Sequence, residues 1–324
     1  MQTILIHIAY FLAINLVLVL LGYIIVKRGL VWLAWTLLPI VIAAVYFIFN
    51  HDHPILKMLG IIATTFTVMK VITAAVDYKS RQAKLKFIPW LAFAAGWAGM
   101  RAQPFEALRN PALPNGWAMI RFGVSRVIAG LLLIAIAHYI VTLHLSGGLT
   151  YVVVSPLLLI ALSLVLHFGL LSIGAGQWRL MGVNTYYLFK QPARSMSLTE
   201  FWGKRWNLAF IEMTSVAIFR PLRSEIGKGW ALAVAFLFSG LLHELALSVP
   251  VNGGYGLPML YFVIQGIVLM IEKKLIQKNI QFLKHPIWAR IWVFFWLVVP
   301  MPLLFHERFI KLVVWPLAGL NLDF

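Results

Sequence analysis

An all-α, polytopic membrane bundle is the fold class that this 324-residue sequence predicts, and three observations predict it. Hydrophobic residues make up 62% of the chain and charged residues only 11%, more apolar surface than a water-soluble interior can hide. Apolar runs of eighteen or more residues recur from end to end, each long enough to cross a hydrocarbon core of about 30 Å as a helix. The alternating pattern of a membrane β-barrel is absent.

Taken in order, full crossings are expected at 4–26, 30–50, 55–76, 124–145, 151–173, 230–249, 257–271 and 287–304, about eight in all. The first run has no basic residue before Ile4 and no small-residue cleavage site, so it reads as a retained helix. Two further apolar stretches, 87–100 and 207–219, are too short to span and carry basic residues on both sides, which predicts re-entrant or interfacial helices. Lys57 and Lys70 fall inside the third run, where snorkelling toward its ends is the expected solution. No repeat and no soluble module is visible, so residues 1–324 are expected to form one integral membrane domain.

Lys and Arg number 27 against 10 Asp and Glu, a formal net charge of +17. The basic residues sit in short loops between apolar runs, which points to the positive-inside bias and to contact with anionic membrane lipid, not to nucleic acid. Lys27 and Arg28, the run DYKSRQAKLK at 77–86, and the loop 273–284 all prefer the cytoplasm on this reading, which puts the N-terminus outside. The uncharged loops 146–150 and 250–256 then fall on the far side, and the segment from Gly174 to Arg205 on the cytoplasmic face. With no cysteine in the chain, disulfides, thiolate metal sites and an acyl-cysteine intermediate are excluded.

Two stretches carry candidate chemistry. In QPARSMSLTEFWGKRWN, at 191–207, a Ser-x-x-Glu box at Ser197 and Glu200 predicts a helix start. Helical spacing from that start groups Phe201, Arg205 and Leu208 on one face and Trp202 with Trp206 on another. An interfacial helix anchored by Trp and Arg accounts for much of this, but not for Asn207 leading into an apolar run that contains Glu212. In FLFSGLLHELALSVP, at 236–250, His243 and Glu244 lie thirteen to fourteen residues after Trp230, about 20 Å along a helix and past the midplane. A neutral imidazole is far cheaper to bury there than a charge, so His243 is expected as a free base able to take a proton. A lone histidine often only bridges helices; the neighbouring Glu244 weakens that explanation.

Other signals are weaker. HELAL and HERFI lack the second histidine of a zinc protease helix, since Leu247 and Ile310 stand there, and no metal site is assigned. The trio His51, Asp52 and His53 reads as a solvated loop before it reads as a metal site. Ser239, four residues before His243, has the spacing of a Ser-His pair but lacks a nucleophile elbow, and packing is its expected role.

Together SLTEFWGKRWN at 197–207 and SGLLHEL at 239–245 resemble the membrane-bound O-acyltransferase superfamily, specifically its wax synthase-like branch, whose Ser-Leu-x-(Asp/Glu)-Phe-Trp-Gly-(Arg/Lys)-Arg-Trp-(Asn/His) and Ser-Gly-Leu-x-His-Glu elements they match. Arg220, Pro221 and the tail VVPMPLLFHERFIKLVVWPL look like the same branch, and the similarity covers about residues 185–324. The resemblance implies an all-helical fold with a tunnel, an acyl-CoA donor, a lipid-like alcohol acceptor and no separate cofactor. It implies His243 as general base with Asn207 as its catalytic partner. It also implies a substrate-binding set of Trp202, Lys204, Arg205, Trp206, Arg220, Arg223, Ser239 and Glu244, in which the cations hold the CoA phosphates. The modest chain length suggests a bacterial inner membrane. The competing reading is a lipid or small-molecule transporter with His243 and Glu244 as a proton relay; the paired broken-helix repeats of many transporters are not seen. A third, a non-catalytic membrane scaffold, would have no need of so tight an aromatic and basic motif.

Overall fold

A computed structural model describes residues 2–79 and 85–321, and among these the chain is helical throughout, without a strand. The first half holds α1 (Gln2–Arg28), α2 (Val31–Ile48), α3 (Pro54–Lys79), the short α4 (Phe87–Gly96), α5 (Gly116–Thr142) and α6 (Gly147–Leu180). The second holds α7 (198–205), α8 (208–225), α9 (Gly227–Ser248), α10 (Leu257–Gln277), α11 (Pro286–Leu304, broken by a turn after Val298) and α12 (307–317).

Seven of these helices, α1, α2, α3, α5, α6, α9 and α11, are long and apolar enough to cross a membrane, which makes the chain an integral, multi-pass membrane protein. The eighth expected crossing is α10. Its 21 residues span about 31 Å at 1.5 Å per residue, enough to cross, but Gln265, Glu272, Lys273 and Lys274 make it more polar than the rest. The two short apolar stretches are both helical: the first is the ten-residue α4, and the second is the first part of α8, which runs on to Glu225. The exit from the bundle anticipated at Gly174 comes later, because α6 passes through a π turn at Leu164–Leu170 and continues to Leu180. Part of the basic run, residues 80–84, lies outside the described residues.

The described chain forms two compact units. In the first, residues 1–106 and 190–306, α3 is central: 67% of its apolar window is buried, against 11% for α1. Gly22 lets α1 approach, since a Cβ there would lie 2.6 Å from Val71 and 2.9 Å from Trp90. The Trp90 indole then donates to the Val19 carbonyl at 2.9 Å.

Lys57 partly follows the snorkelling expectation, reaching Asn50 Oδ1 at 3.4 Å while lying 4.1 Å from the Tyr46 ring. Lys70 does not follow it. It is 5% exposed and donates to the carbonyls of Phe93 at 3.2 Å and Ala94 at 2.8 Å, in the last turn of α4. A helix that ends inside a bundle leaves its final carbonyls bare, and a buried ammonium supplies the missing donors.

The second unit, residues 107–189 and 307–324, is built on α5 against α6. Gly116, Gly123 and Gly130 recur every seven residues on α5 and face the backbone of Gly176, Gly169 and Ala161 on α6, which lets the two helices pack backbone to backbone. α12 joins this pair through the Trp315 indole, which donates to Ser155 Oγ at 3.0 Å, and its following turn accepts from His138 Nε2 at Ala318 O, 2.8 Å.

Candidate active site

The residues expected to catalyse and to bind substrate lie in the first unit, on α7, α8 and α9 or, for Trp206 and Asn207, in the link between α7 and α8. α7 starts as the Ser-x-x-Glu box predicts. Ser197 Oγ accepts the Glu200 N–H at 3.0 Å, and Glu200 reaches back to the Met196 N–H at 2.9 Å, one residue before the usual partner. That N–H, with Arg205 and Lys204, holds the Glu200 carboxyl below the usual carboxylate range against the opposing effect of burial.

The face assignment within α7 does not hold. From Phe201 the segment is a π turn, Trp206 is extended, and Asn207 at φ 46° starts a new helix, so Leu208 belongs to α8. Trp206 instead stacks on Phe201 at 5.4 Å and 13°, while Trp202 turns toward α10, donating to Gln265 Oε1 at 3.1 Å. A wider turn and a change of backbone region redistribute side chains that a continuous α-helix would have stacked.

Asn207 caps α8: its Oδ1 accepts the Phe210 N–H at 3.2 Å. Its amide nitrogen has no hydrogen-bond partner among the described residues. Glu212, the acid in the apolar run, is met by Arg101 Nε at 2.9 Å and the Met100 N–H at 3.4 Å. That pairing fixes α8 against the segment after α4.

His243 ends the α-helical part of α9 just before a π turn, Glu244–Ser248. Its Nδ1 lies 2.7 Å from the Ser239 carbonyl, which can only accept, so the proton sits on Nδ1 and the lone pair on Nε2. Nε2 has no partner among the described residues. The imidazole packs between Phe262 at 4.3 Å and Phe210 at 5.3 Å. No hydrogen bond joins His243 to Asn207; Phe210 is their common neighbour, capped by one and packed on the other.

The remaining residues divide. Ser239 donates its hydroxyl to Ala235 O at 2.8 Å, within its own helix. Glu244 accepts the Met259 N–H at 3.0 Å, in the first turn of α10, and its Oε2 is buried without a partner among the described residues. Arg205 is committed to Glu200 at 2.6 and 2.7 Å and to the carbonyls of Lys190 and Gln191. Lys204, Arg220 and Arg223 are exposed. In the His51, Asp52, His53 trio, the acid turns to His7 Nδ1 at 2.6 Å.

Sequence reasoning placed a helix at 257–271 but missed its part in the site: α10 presents Phe262, Gln265, Leu269 and Glu272 at i, i+3, i+7 and i+10 toward α7 and α9. Gln265 and Glu272 are fully buried. Two polar residues seven apart in an apolar run were the available signal; ending the expected crossing at 271 left Glu272 in a loop.

Comparisons with known proteins bear on this same region. A sequence model of the "Membrane bound O-acyl transferase family" matches residues 186–264. A long-chain-alcohol O-fatty-acyltransferase of Simmondsia chinensis is 34% identical over 73 residues, 20% of this chain and 21% of the relative. Two Arabidopsis thaliana proteins named as probable long-chain-alcohol O-fatty-acyltransferases, numbers 6 and 8, are 30% identical over 142 residues (42% of this chain, 39% of the relative) and 29% over 167 residues (47% and 49%). The matches span half or less of these curated relatives' own length. All three are plant proteins, so they lend no support to a bacterial inner membrane. The resemblance read from SLTEFWGKRWN and SGLLHEL is thereby borne out: over its motif region the chain is similar to the membrane-bound O-acyltransferases, in their wax synthase-like branch.

Proposed function

We propose that this chain is a membrane O-acyltransferase that moves a fatty acyl group from acyl-CoA to the hydroxyl of a lipid-like alcohol, with His243 as general base. The observation that carries the proposal is the fixed tautomer of a histidine deep in a crossing helix: Nδ1 donates to Ser239 O at 2.7 Å, and Nε2 is left with a free lone pair in an aromatic pocket. A hydroxyl is a weak nucleophile until a base takes its proton, whereas a thioester is already activated, so one such imidazole can serve the reaction.

Nε2 takes the hydroxyl proton as the alkoxide oxygen bonds to the thioester carbon; collapse breaks the C–S bond, and the proton passes from Nε2 to the leaving CoA sulfur. His243 is returned unchanged. The unpartnered amide of Asn207 can donate to the carbonyl oxygen as negative charge develops on it. Exposed Lys204, Arg220 and Arg223 supply charge for the CoA phosphates, while the bonds of Arg205 give it a role in building the motif instead. The relatives' names favour a long-chain alcohol as acceptor. Ser239 spends its hydroxyl on its own helix, which favours direct transfer with both substrates bound together.

The test is to reconstitute the purified protein in vesicles with an acyl-CoA and a long-chain alcohol. Acceptor-dependent release of CoA with stoichiometric ester supports the proposal, and no ester with any hydroxyl acceptor refutes it.

A further inference from the structure

We propose that Glu272 is a positioning residue, a buried carboxylate that sets the donor side of the site by holding the start of the Trp202–Trp206 segment onto α10. It is 0% exposed, and one oxygen accepts the Leu198 N–H at 2.8 Å and the Trp292 indole at 3.2 Å. The other accepts the Thr199 N–H at 3.2 Å and the Thr199 hydroxyl at 3.4 Å. Four donors from two other elements converge on one side chain.

A fully buried carboxylate is costly unless its oxygens are satisfied, and among the described residues no Lys, Arg or His pairs with Glu272. What satisfies it is the first turn of α7, whose N–H groups have no partner within their own helix. Glu272 therefore fixes where α7 starts and how it is rotated. Gln265, two turns earlier on the same face of α10, takes the Trp202 indole and donates to Trp296 O at 2.6 Å, and Phe262, three residues earlier again, touches the His243 ring. One rigid face thus carries contacts to the imidazole, to Trp202 and to the head of α7, so the spacing between the base and the Trp202–Trp206 segment is set by a single helix. Lys204 follows on that segment, and a tilt of α7 moves it relative to His243. The donor-side consequence rests on reading the chain as an acyl-CoA-using transferase; the anchoring of α7 does not.

The experiment pairs hydrogen–deuterium exchange with steady-state kinetics on the full chain in detergent or vesicles, comparing wild type with Glu272→Ala, Glu272→Gln and Glu272→Asp. In Glu272→Ala the amides of 198–206 are expected to exchange at least tenfold faster, with peptides from α3 and α5 unchanged. KM for acyl-CoA should rise at least fivefold, with kcat at saturating donor within twofold and KM for the alcohol unchanged. Glu272→Gln, which keeps one acceptor oxygen, should recover part of both effects. Exchange that speeds up across the whole protein, or a lower kcat at unchanged donor KM, overturns the proposal, because loss of folded enzyme predicts that pattern. If Glu272→Ala cannot be recovered from the membrane, Trp292→Phe and Thr199→Val each remove one donor; faster exchange confined to 198–206 in both supports the proposal, and unchanged exchange overturns it. If wild type itself makes no ester, the functional reading fails, and the exchange data alone decide whether Glu272 anchors α7.

Discussion

Replacing Asn207 separates the helix cap it makes from the donor role proposed for its amide. Its Oδ1 caps α8 at Phe210, its backbone sits at φ 46°, and its amide nitrogen is free for substrate. Asn207→Ala loses the cap, about 1 kcal/mol, and forces an alanine into the left-handed region, about 1–2 kcal/mol more, so it should be roughly 2–3 kcal/mol less stable. Asn207→Asp keeps an oxygen to cap with, and its charge suits a helix N-terminus, so its stability should stay near wild type. It has no N–H to donate, however, and losing one donor to a developing oxyanion typically costs about 10²- to 10³-fold in rate. Asn207→Gly keeps the backbone region at a cost of a few tenths of a kcal/mol and should be as slow as the aspartate variant. Thermal unfolding followed by tryptophan fluorescence, beside acceptor-dependent CoA release, reads both quantities. An aspartate variant that turns over at the wild-type rate would refute the role of the amide and leave Asn207 as a helix cap.

Arg223→Ala should raise KM for acyl-CoA with kcat kept, whereas Arg205→Ala should mainly destabilise 190–205, because Arg205 bonds Glu200 and two carbonyls there; donor titrations beside thermal melts distinguish them. Glu200, whose folded pKa is depressed, contributes stability that is present above its ordinary value of 4.5 and is lost as pH falls through the folded value. Amide exchange in 196–205, corrected for its intrinsic pH dependence, should therefore accelerate only below about pH 4.5, and Glu200→Gln should flatten the profile. Ser239→Ala should transfer acyl groups at close to the wild-type rate; stable labelling of denatured protein by radioactive acyl-CoA, lost in that variant, would show an acyl-serine instead.

Much of the bundle is legible in the sequence because a crossing helix must satisfy its backbone internally and show apolar side chains over about 20 residues, both of which composition records. α10 is the least legible of the long helices because its polar residues face inward, satisfied by partners that come from distant sequence: Glu272 by Leu198, Thr199 and Trp292, and Gln265 by Trp202 and Trp296. Lys70 misleads for the same reason, since its partners are the last carbonyls of α4, more than twenty residues away. In the site, His243 stands out by its cost at that depth and Asn207 by its place in the motif. The Phe210 and Phe262 walls look like any other apolar residue until the helices are assembled. The π turns that start at Phe201 and Glu244 leave no mark that a 3.6-residue period would reveal, so the spacing in the sequence predicts continuous faces for α7 that the chain does not form.

The proton transfer assigned to His243 is tested most directly by single-turnover ester formation in His243→Ala and His243→Gln, with acyl-CoA and a long-chain alcohol both saturating. Removing the base should slow the chemical step by about 10²- to 10⁴-fold while each variant purifies and melts like wild type. Ester formation within tenfold of wild type in either variant would contradict the account.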